Sequence, residues 1–393
     1  MPTELRLGRL AAVVAVLGLA LAACGGSDDE GAGEEKAAAP ADSAAADSAG
    51  GAQAEGGGAV PDDGGPKTDL PPNELGRIPV LEYHRIGDNE GEFVRSLANF
   101  RRDLQSLYDA GYRPILMRDV LRGNINVPAG TTPVVFTFDD ATQGQFYYRP
   151  DGSLDPNTMM GSWVAFKERN PGWRNGGVWC ILPAAQHPSN FFGETKDRDT
   201  PREQREANIR KKMEFLVQNG HEVCNHTWYH ARLDRARDDA QVQEYIGVGE
   251  DSIKTYLPPD YDIVTFALPL GQWPDNRQLA WRGTYRDGKT YEYEVVLEVS
   301  GGPNVSPFDT AWNGHSVDRF IVAPGALEGL LRRWQASPER FVSDGDPSTV
   351  TYPASRAGRL DRSRLGGRTP RELPDAPAAQ RDTPAPAAPP GGR

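Results

Sequence analysis

Val134-Val135-Phe136-Thr137-Phe138-Asp139-Asp140 is a run of five β-branched or aromatic residues leading straight into two adjacent carboxylates. A run that is apolar on both faces reads as a strand buried on both sides, the habit of parallel sheets. Neighbouring carboxylates repel unless a cation or a proton relieves them. In parallel α/β folds the working residues gather at the C-terminal ends of strands. The stretch therefore marks a central strand and, at its end, a candidate site. The plain alternative for the acidic pair is a cap on a following helix.

Outward from this strand, apolar segments at 78–81, 114–117, 178–182, 221–225, 263–268 and 320–322 read as further strands. Between them lie helical faces. Leu97, Phe100, Leu104, Leu107 and Tyr108 form one, stopped by Gly111, and Ile209, Met213, Leu216 and Val217 a second, stopped by Gly220. Val242, Tyr245, Ile246, Ile253, Tyr256 and Leu257 mark a third, and Leu327, Leu330, Leu331 and Trp334 a last one. Strand–helix alternation implies a parallel sheet, and seven or so units would close it into a barrel. Residues 285–299, with Asp287-Gly288 between two strand-like arms, read as an inserted hairpin.

The ends of the chain have a different composition. Arg6 and Arg9 precede an apolar run over 10–23 that is too short to span a bilayer comfortably, the pattern of a signal peptide. It ends Leu21-Ala22-Ala23-Cys24, followed by Gly25 and Gly26, and resembles the bacterial lipoprotein cleavage box. That resemblance implies a signal peptide over 1–23 and a lipidated Cys24 holding the exported protein to a membrane, periplasmic or at the cell surface. The alternative is an ordinary secretory peptide. Residues 24–76 hold few large apolar side chains and are expected to be a disordered acidic tether, and 351–393 a disordered Pro/Ala/Arg-rich tail. The folded part is then 77–350, a fitting size for one α/β barrel. A net charge of −12 argues against a nucleic-acid partner, and three Cys exclude a disulfide-dense scaffold. A monomer is expected.

Two of the chain's six His, His226 and His230, follow the 221–225 strand. Four residues apart, they share one face of a helical turn and can chelate one ion. Asp140 would complete a set of one carboxylate and two imidazoles, which leaves positions open for water and substrate as catalytic sites do. Asp139 remains beside the ion, placed to take a proton from a bound water.

Thr137-Phe138-Asp139-Asp140 and His226-Thr227-Trp228-Tyr229-His230 resemble the first two motifs of the NodB-homology polysaccharide deacetylases, carbohydrate esterase family 4, and Pro79-Val80-Leu81-Glu82-Tyr83-His84 resembles the start of their lipoprotein exopolysaccharide-deacetylase branch. The resemblance implies a distorted (β/α)7 barrel and a divalent metal, most often zinc. It implies removal of N-acetyl groups from N-acetylglucosamine polymers, with Asp139 as base and Asp140, His226 and His230 as ligands. Ala267-Leu268-Pro269-Leu270-Gly271 aligns with the third motif, in which the backbone N–H matching Leu270 steadies an oxyanion. Ala267, however, stands where that family has the Arg that orients the base. No His follows the last strand, where the family has its acid. Pro79-Val80-Leu81-Glu82-Tyr83-His84 matches the start of the lipoprotein branch and makes His84 the candidate acid, since first and last strands of a closed barrel are neighbours. Its ring is expected on the side of the site away from Asp139. A buried structural His is the alternative.

Other residues are less informative. Cys180 and Cys224 lie on neighbouring strands, as a disulfide or as two buried thiols. His187, His221 and His315 have no motif around them. Trp228 and Tyr229 suit either a sugar face or the core, and the long 141–177 connection with Trp163 and Trp173, and nearby Trp179, is a candidate groove wall. Two rivals remain beside the deacetylase. One acts on an O-acetyl or non-sugar amide substrate. The other is a non-catalytic, glycan-binding lipoprotein, for which the missing Arg is the best support.

Overall fold

The computed structural model describes residues 59–196 and 200–375. Its centre is an eight-stranded sheet of β1 (Val80–Tyr83), β2 (Tyr112–Pro114), β3 (Thr132–Phe138), β4 (Gly177–Ile181), β5 (Glu222–Asn225), β6 (Thr265–Ala267), β7 (Val295–Leu297) and β8 (Phe320–Ile321). Every pairing in it is parallel, in the spatial order β7-β6-β5-β4-β3-β1-β8, and β2 shares an edge of β3 with β4. First and last strands are neighbours, with Leu81 opposite Phe320. Just before β8, Val317 forms a parallel bridge to Leu297 of β7, so the segment 317–321 touches both edges and curls the sheet into a distorted (β/α) barrel.

The alternation of side chains along each strand divides the core in two. Leu81, Tyr83, Phe136, Phe138, Val223 and Phe266 face outward into a cluster with the helices. Those helices are α1 (Leu97–Asp109), α3 (Met159–Arg169), α4 (Arg202–Gln218), α5 (Asp239–Lys254) and α6 (Ala326–Trp334), whereas α2 (Met117–Arg122) buries Met117 and Val120 in the other cluster. Ser96 starts α1 by accepting the Asn99 N–H at 3.2 Å, and Gly111 follows its end at φ 78°, a conformation that suits glycine. Val80, Val135, Val178, Cys180, Cys224, Ala267 and Val295 belong to a second cluster on the opposite face, inside the barrel. By the same alternation Glu82 and His84 follow Val80, and Thr137 and Asp139 follow Val135, onto the inner face. Since Glu82 pairs with Thr137 and Tyr83 with Phe138, His84 comes out opposite Asp139.

Several expectations need correction. The 285–299 hairpin is smaller and earlier: Arg282–Tyr285 pairs antiparallel with Lys289–Glu292, and Val295–Leu297 is a strand of the barrel itself. The connection after β3 contains α3, and Trp163, Trp173 and Trp179 are core residues rather than a groove wall. The tether and tail were expected to be structureless up to residue 76 and from 351. Instead Asn73 pairs with Val342, and Glu74 accepts the Thr351 N–H at 2.8 Å. Thr349–Pro353 pairs in parallel with Thr369–Leu373. Composition misled here because a few residues anchor these segments: Leu75, Val350 and Tyr352 are buried against the inner cluster, each such burial stabilising by roughly 1.5–3 kcal/mol. Cys180 and Cys224, in register on β4 and β5 with Cα atoms 4.2 Å apart, form a disulfide. The signal segment, Cys24, the tether up to 58 and the tail from 376 lie outside the described residues.

Candidate active site

Asp139 and Asp140 leave β3 at the top of the barrel, and Asp140 turns back into it by adopting φ 79°. Ala141, Thr227, His230 and Leu270 also have positive φ, so five of the eight such non-glycine residues among the described ones lie at the ends of β3, β5 and β6. Strained backbone of this kind persists only where the surroundings enforce it, and it collects at working sites.

The His motif is a turn, not the helical turn expected from its spacing. Its shape is set from below by Asn225, the last residue of β5. The Asn225 Oδ1 accepts the Thr227 N–H at 3.0 Å, while its Nδ2 donates to the Ile246 carbonyl at 3.0 Å and the Tyr293 hydroxyl at 2.7 Å. Thr227 Oγ1 accepts the Ala231 N–H at 3.1 Å and closes the turn. Gly249 of α5 lets the helix come close, since a Cβ there would lie 2.7 Å from the Thr227 carbonyl carbon.

So folded, the turn aims both imidazoles at Asp140. His226 Nε2 lies 3.8 Å and His230 Nε2 3.7 Å from Asp140 Oδ1. Atoms that bind one zinc at about 2.0–2.2 Å must themselves lie roughly 3–4 Å apart, so the spacing fits. Two further observations support a cation there. Asp140 Oδ1 is buried with no hydrogen-bond partner. Burial, reinforced by Asp139, pushes the Asp140 carboxyl up to about 8, so the bare site has an unmet demand for positive charge. His226 Nδ1 donates to the Ala267 carbonyl at 2.9 Å, which fixes the tautomer with the Nε2 lone pair facing Asp140. Burial holds both rings below the usual His range, His230 to about 3, and so keeps them neutral and able to ligate.

Asp139 is held differently. Its Oδ1 accepts from Arg319 Nη1 at 2.7 Å, and its Oδ2 lies 3.7 Å from His226 Nε2. Burial would raise Asp139, but the Arg319 guanidinium, aided by His226, outweighs it and keeps the carboxyl well below the usual range. Arg319 is the residue the sequence reading missed. The base-orienting Arg looked absent because Ala267 occupies its place on β6. The same charge arrives from the residue before β8, fully buried and across the barrel.

Arg319 also lies 3.2 Å from Glu82 Oε1, a buried carboxylate that the sequence reading passed over inside the Pro79–His84 stretch. Alternation along β1 is the signal that finds it, since Glu82 shares an inner face with His84. His84 Nε2 lies 3.3 Å from Glu82 Oε1, and ligand atoms of Glu82, His84 and Asp139 fall within 4.8 Å of one another. His84 is therefore in the site, but beside Asp139 rather than away from it, as the strand register dictates. Gln145 ties the two together by donating from Nε2 to the His84 and Asp139 carbonyls, both at 2.6 Å. No local motif marks Gln145 in the sequence. Burial lowers His84 to about 4 against the pull of Asp139, so the ring rests neutral rather than protonated.

Asp139, Asp140, His84, His226, His230 and Leu270 all line one open cavity of about 370 Å³. His187 lines it too, although nothing in its sequence surroundings marked it. His221 is buried instead, its Nδ1 accepting from the Gly177 N–H at 3.2 Å and the Trp179 indole at 3.3 Å, while His315 stacks on Trp281.

The sequence model of the polysaccharide deacetylases matches residues 180–284, a span that includes both cavity imidazoles of the His motif and Leu270. Over this span the chain matches the polysaccharide deacetylase family. This family hydrolyses amide bonds of acetylated polysaccharides, and the Asp139-Asp140 pair lies upstream of the matched span. No curated protein matches the chain. Among solved structures it is similar to the deacetylase PplD of Streptococcus pyogenes, solved with acetate, at 18% identity over 65% of this chain and 97% of that one, TM-score 0.45. It is also similar to IcaB of Ammonifex degensii, at 16% identity over 67% and 98%, TM-score 0.43. A third is a polysaccharide deacetylase of Bacillus cereus, at 16% identity over 64% and 67%, TM-score 0.44.

Proposed function

We propose that the chain is a divalent-metal-dependent deacetylase that hydrolyses N-acetyl groups of an N-acetylglucosamine-containing polysaccharide at the cell surface. The observation that carries this reading is the Asp140, His226 and His230 cluster with an ionised Asp139 held against it by Arg319. One carboxylate and two imidazoles suit zinc. Bound there, the ion would polarise a carbonyl and make a water more acidic. Asp139, kept ionised by Arg319, is placed to take a proton from a water that attacks the acetyl carbon. The Leu270 N–H, in its left-handed turn at the cavity wall, is the candidate donor to the oxyanion. When the carbon–nitrogen bond breaks, the departing nitrogen needs a proton. The one that Asp139 removed is available, and neutral His84 beside it is placed to pass it on. Acetate and a free amine result.

Lipid on Cys24 would keep the enzyme at a membrane, a proposal that rests on the sequence of its first residues. The non-catalytic reading drew on the missing Arg, and with Arg319 on Asp139 no feature of the site favours it. Mass spectrometry of acetylated glycans incubated with the zinc-loaded protein tests the proposal. Loss of acetyl groups from N-acetylglucosamine oligomers is expected. Loss from acetylated xylan alone would move the activity to esters, and no loss from any glycan would refute it.

A further inference from the structure

Of the other three positive-φ non-glycine residues among the described ones, two are adjacent. Phe191 and Phe192 have φ 36° and 58°, and Gly193 continues the turn at φ 83°. Consecutive non-glycine residues in the left-handed region persist only where something holds them. Both Phe are buried, and the Phe192 ring packs against Phe146 and Trp179 with centroids 5.4 and 5.9 Å away. Two residues on, the chain is gripped by α4. Glu194 Oε1 accepts from Lys212 Nζ at 2.6 Å, and its Oε2 accepts from Asn208 Nδ2 at 3.1 Å, the two donors lying one turn apart on that helix. Lys212 is fully buried, and its ammonium faces the Phe146, Tyr147 and Phe192 rings at 5.8, 5.8 and 5.7 Å.

Neither Lys212 nor Glu194 lines the catalytic cavity. Their reach into the site is through the backbone. The Phe192 N–H donates to the Ala141 carbonyl at 2.7 Å. Earlier in the same connection after β4, the Ala184 N–H donates to the Trp228 carbonyl at 2.9 Å. Ala141 follows the candidate ligand Asp140, and the two have φ 46° and 79°. Trp228 lies between His226 and His230. The 184–194 connection is thus bonded to the backbone of both ligand-bearing motifs, and the Glu194–Lys212 pair fixes its far end to a helix. A buried ion pair adds little stability over apolar side chains of the same size. What this one adds is a single arrangement of the turn, because both Glu194 oxygens are taken.

We propose that Lys212 and Glu194 are positioning residues of the metal site: their ion pair clamps the 191–194 turn so that Phe192 holds the Ala141 carbonyl and Asp140 keeps its carboxylate aimed at His226 and His230. This inference deepens the metal-site reading and rests on it. Groups that orient a metal ligand from behind are typically worth about 10–100-fold in affinity, and a clamp one step further back is expected to be worth roughly tenfold.

Zinc affinity, read by competition with a chromophoric chelator, tests it without turnover, together with the visible spectrum of cobalt-loaded protein, which reports ligand geometry. Glu194→Ala is expected to weaken zinc roughly tenfold and shift the cobalt bands, while Glu194→Gln, which can still accept from Lys212, stays close to wild type. Because a stranded buried lysine lowers stability, a double variant, Lys212→Leu with Glu194→Leu, removes both charges; it should melt no lower than Glu194→Ala and still bind zinc roughly tenfold more weakly than wild type. Arg202→Ala breaks the exposed Arg202–Glu206 pair on the same helix and should leave affinity and spectrum unchanged. Circular dichroism and melting curves show that each variant is folded. Wild-type affinity and spectrum in the folded double variant overturn the clamp, as does equal weakening in Arg202→Ala. If wild-type protein binds no zinc, the metal-site reading fails and the clamp with it. If wild-type protein binds one zinc and the double variant binds it as tightly, the reading stands and the clamp alone fails.

Discussion

Replacing Arg319 removes the one guanidinium that, among the described residues, contacts Asp139. Asp140 is the next residue and nearly as buried, but has no guanidinium hydrogen-bonded to it, and its carboxyl is pushed up to about 8. Asp139, now held well below the usual range, should likewise rise in Arg319→Gln. With part of the base protonated at pH 7, turnover there should fall, by at most the roughly 10²–10⁴-fold that a general base contributes, and recover as pH rises. Breaking a buried pair costs about 3–5 kcal/mol when the remaining charge is stranded, and here Glu82 also loses its partner. Protonation of the two carboxyls would relieve part of that cost, so the variant should fold with a lowered melting temperature. The assay is the pH dependence of acetate release from N-acetylglucosamine oligomers, with bound zinc measured on the same samples. A raised acid limb with metal retained is expected. An unmoved limb, or loss of zinc in step with activity, would refute the role assigned to Arg319.

Other outcomes follow from the same geometry. His226→Ala removes one of three ligands and should lose bound metal and activity together, measured by elemental analysis and acetate release. His84→Ala should slow amide hydrolysis by about 10²–10⁴-fold and an activated acetyl ester far less, because only the amine needs a proton; equal loss on both would mark His84 as structural. Gly249→Ala crowds the Thr227 backbone and should weaken zinc affinity while the fold persists by circular dichroism. Burial, with Asp344 nearby, raises Glu74 to about 8 from 4.5. The folded state therefore holds a proton that the unfolded chain releases, and stability is lost as pH rises from about 4.5 to 8. Glu74→Gln should flatten that slope in denaturant titrations across this range.

The central strand, the outer helix faces and the two acidic and His motifs were legible because local pattern alone decides them. The unbroken apolar run in β3 gives its burial on both faces, and the i, i+4 spacing brings His226 and His230 together even though the connecting backbone is a turn. Arg319 was not legible in that way. It acts through a pairing between the last strand and the first, distant in sequence, and a substitution at Ala267 hides the exchange of one Arg for another. Glu82 was within reach, because strand parity puts it on the face of His84. The ordered segments at 59–76 and 351–375 were misread for a related reason: their Gly- and Pro-rich composition resembles a linker, and only contacts such as Glu74 with Thr351 hold them. The resting charge of His84 also depends on burial, which sequence pattern does not convey.

The central claim is that Asp140, His226 and His230 hold one divalent ion and that the site so completed removes acetyl groups from a glycan. Acetate release from N-acetylglucosamine oligomers, measured while zinc is titrated into chelator-stripped protein, tests it most directly. The account predicts no acetate from the stripped protein and activity that rises to a plateau at one zinc per chain, with each acetate matched by one free amine on the product. Full activity in the stripped protein, or no acetate at any zinc level, would contradict it.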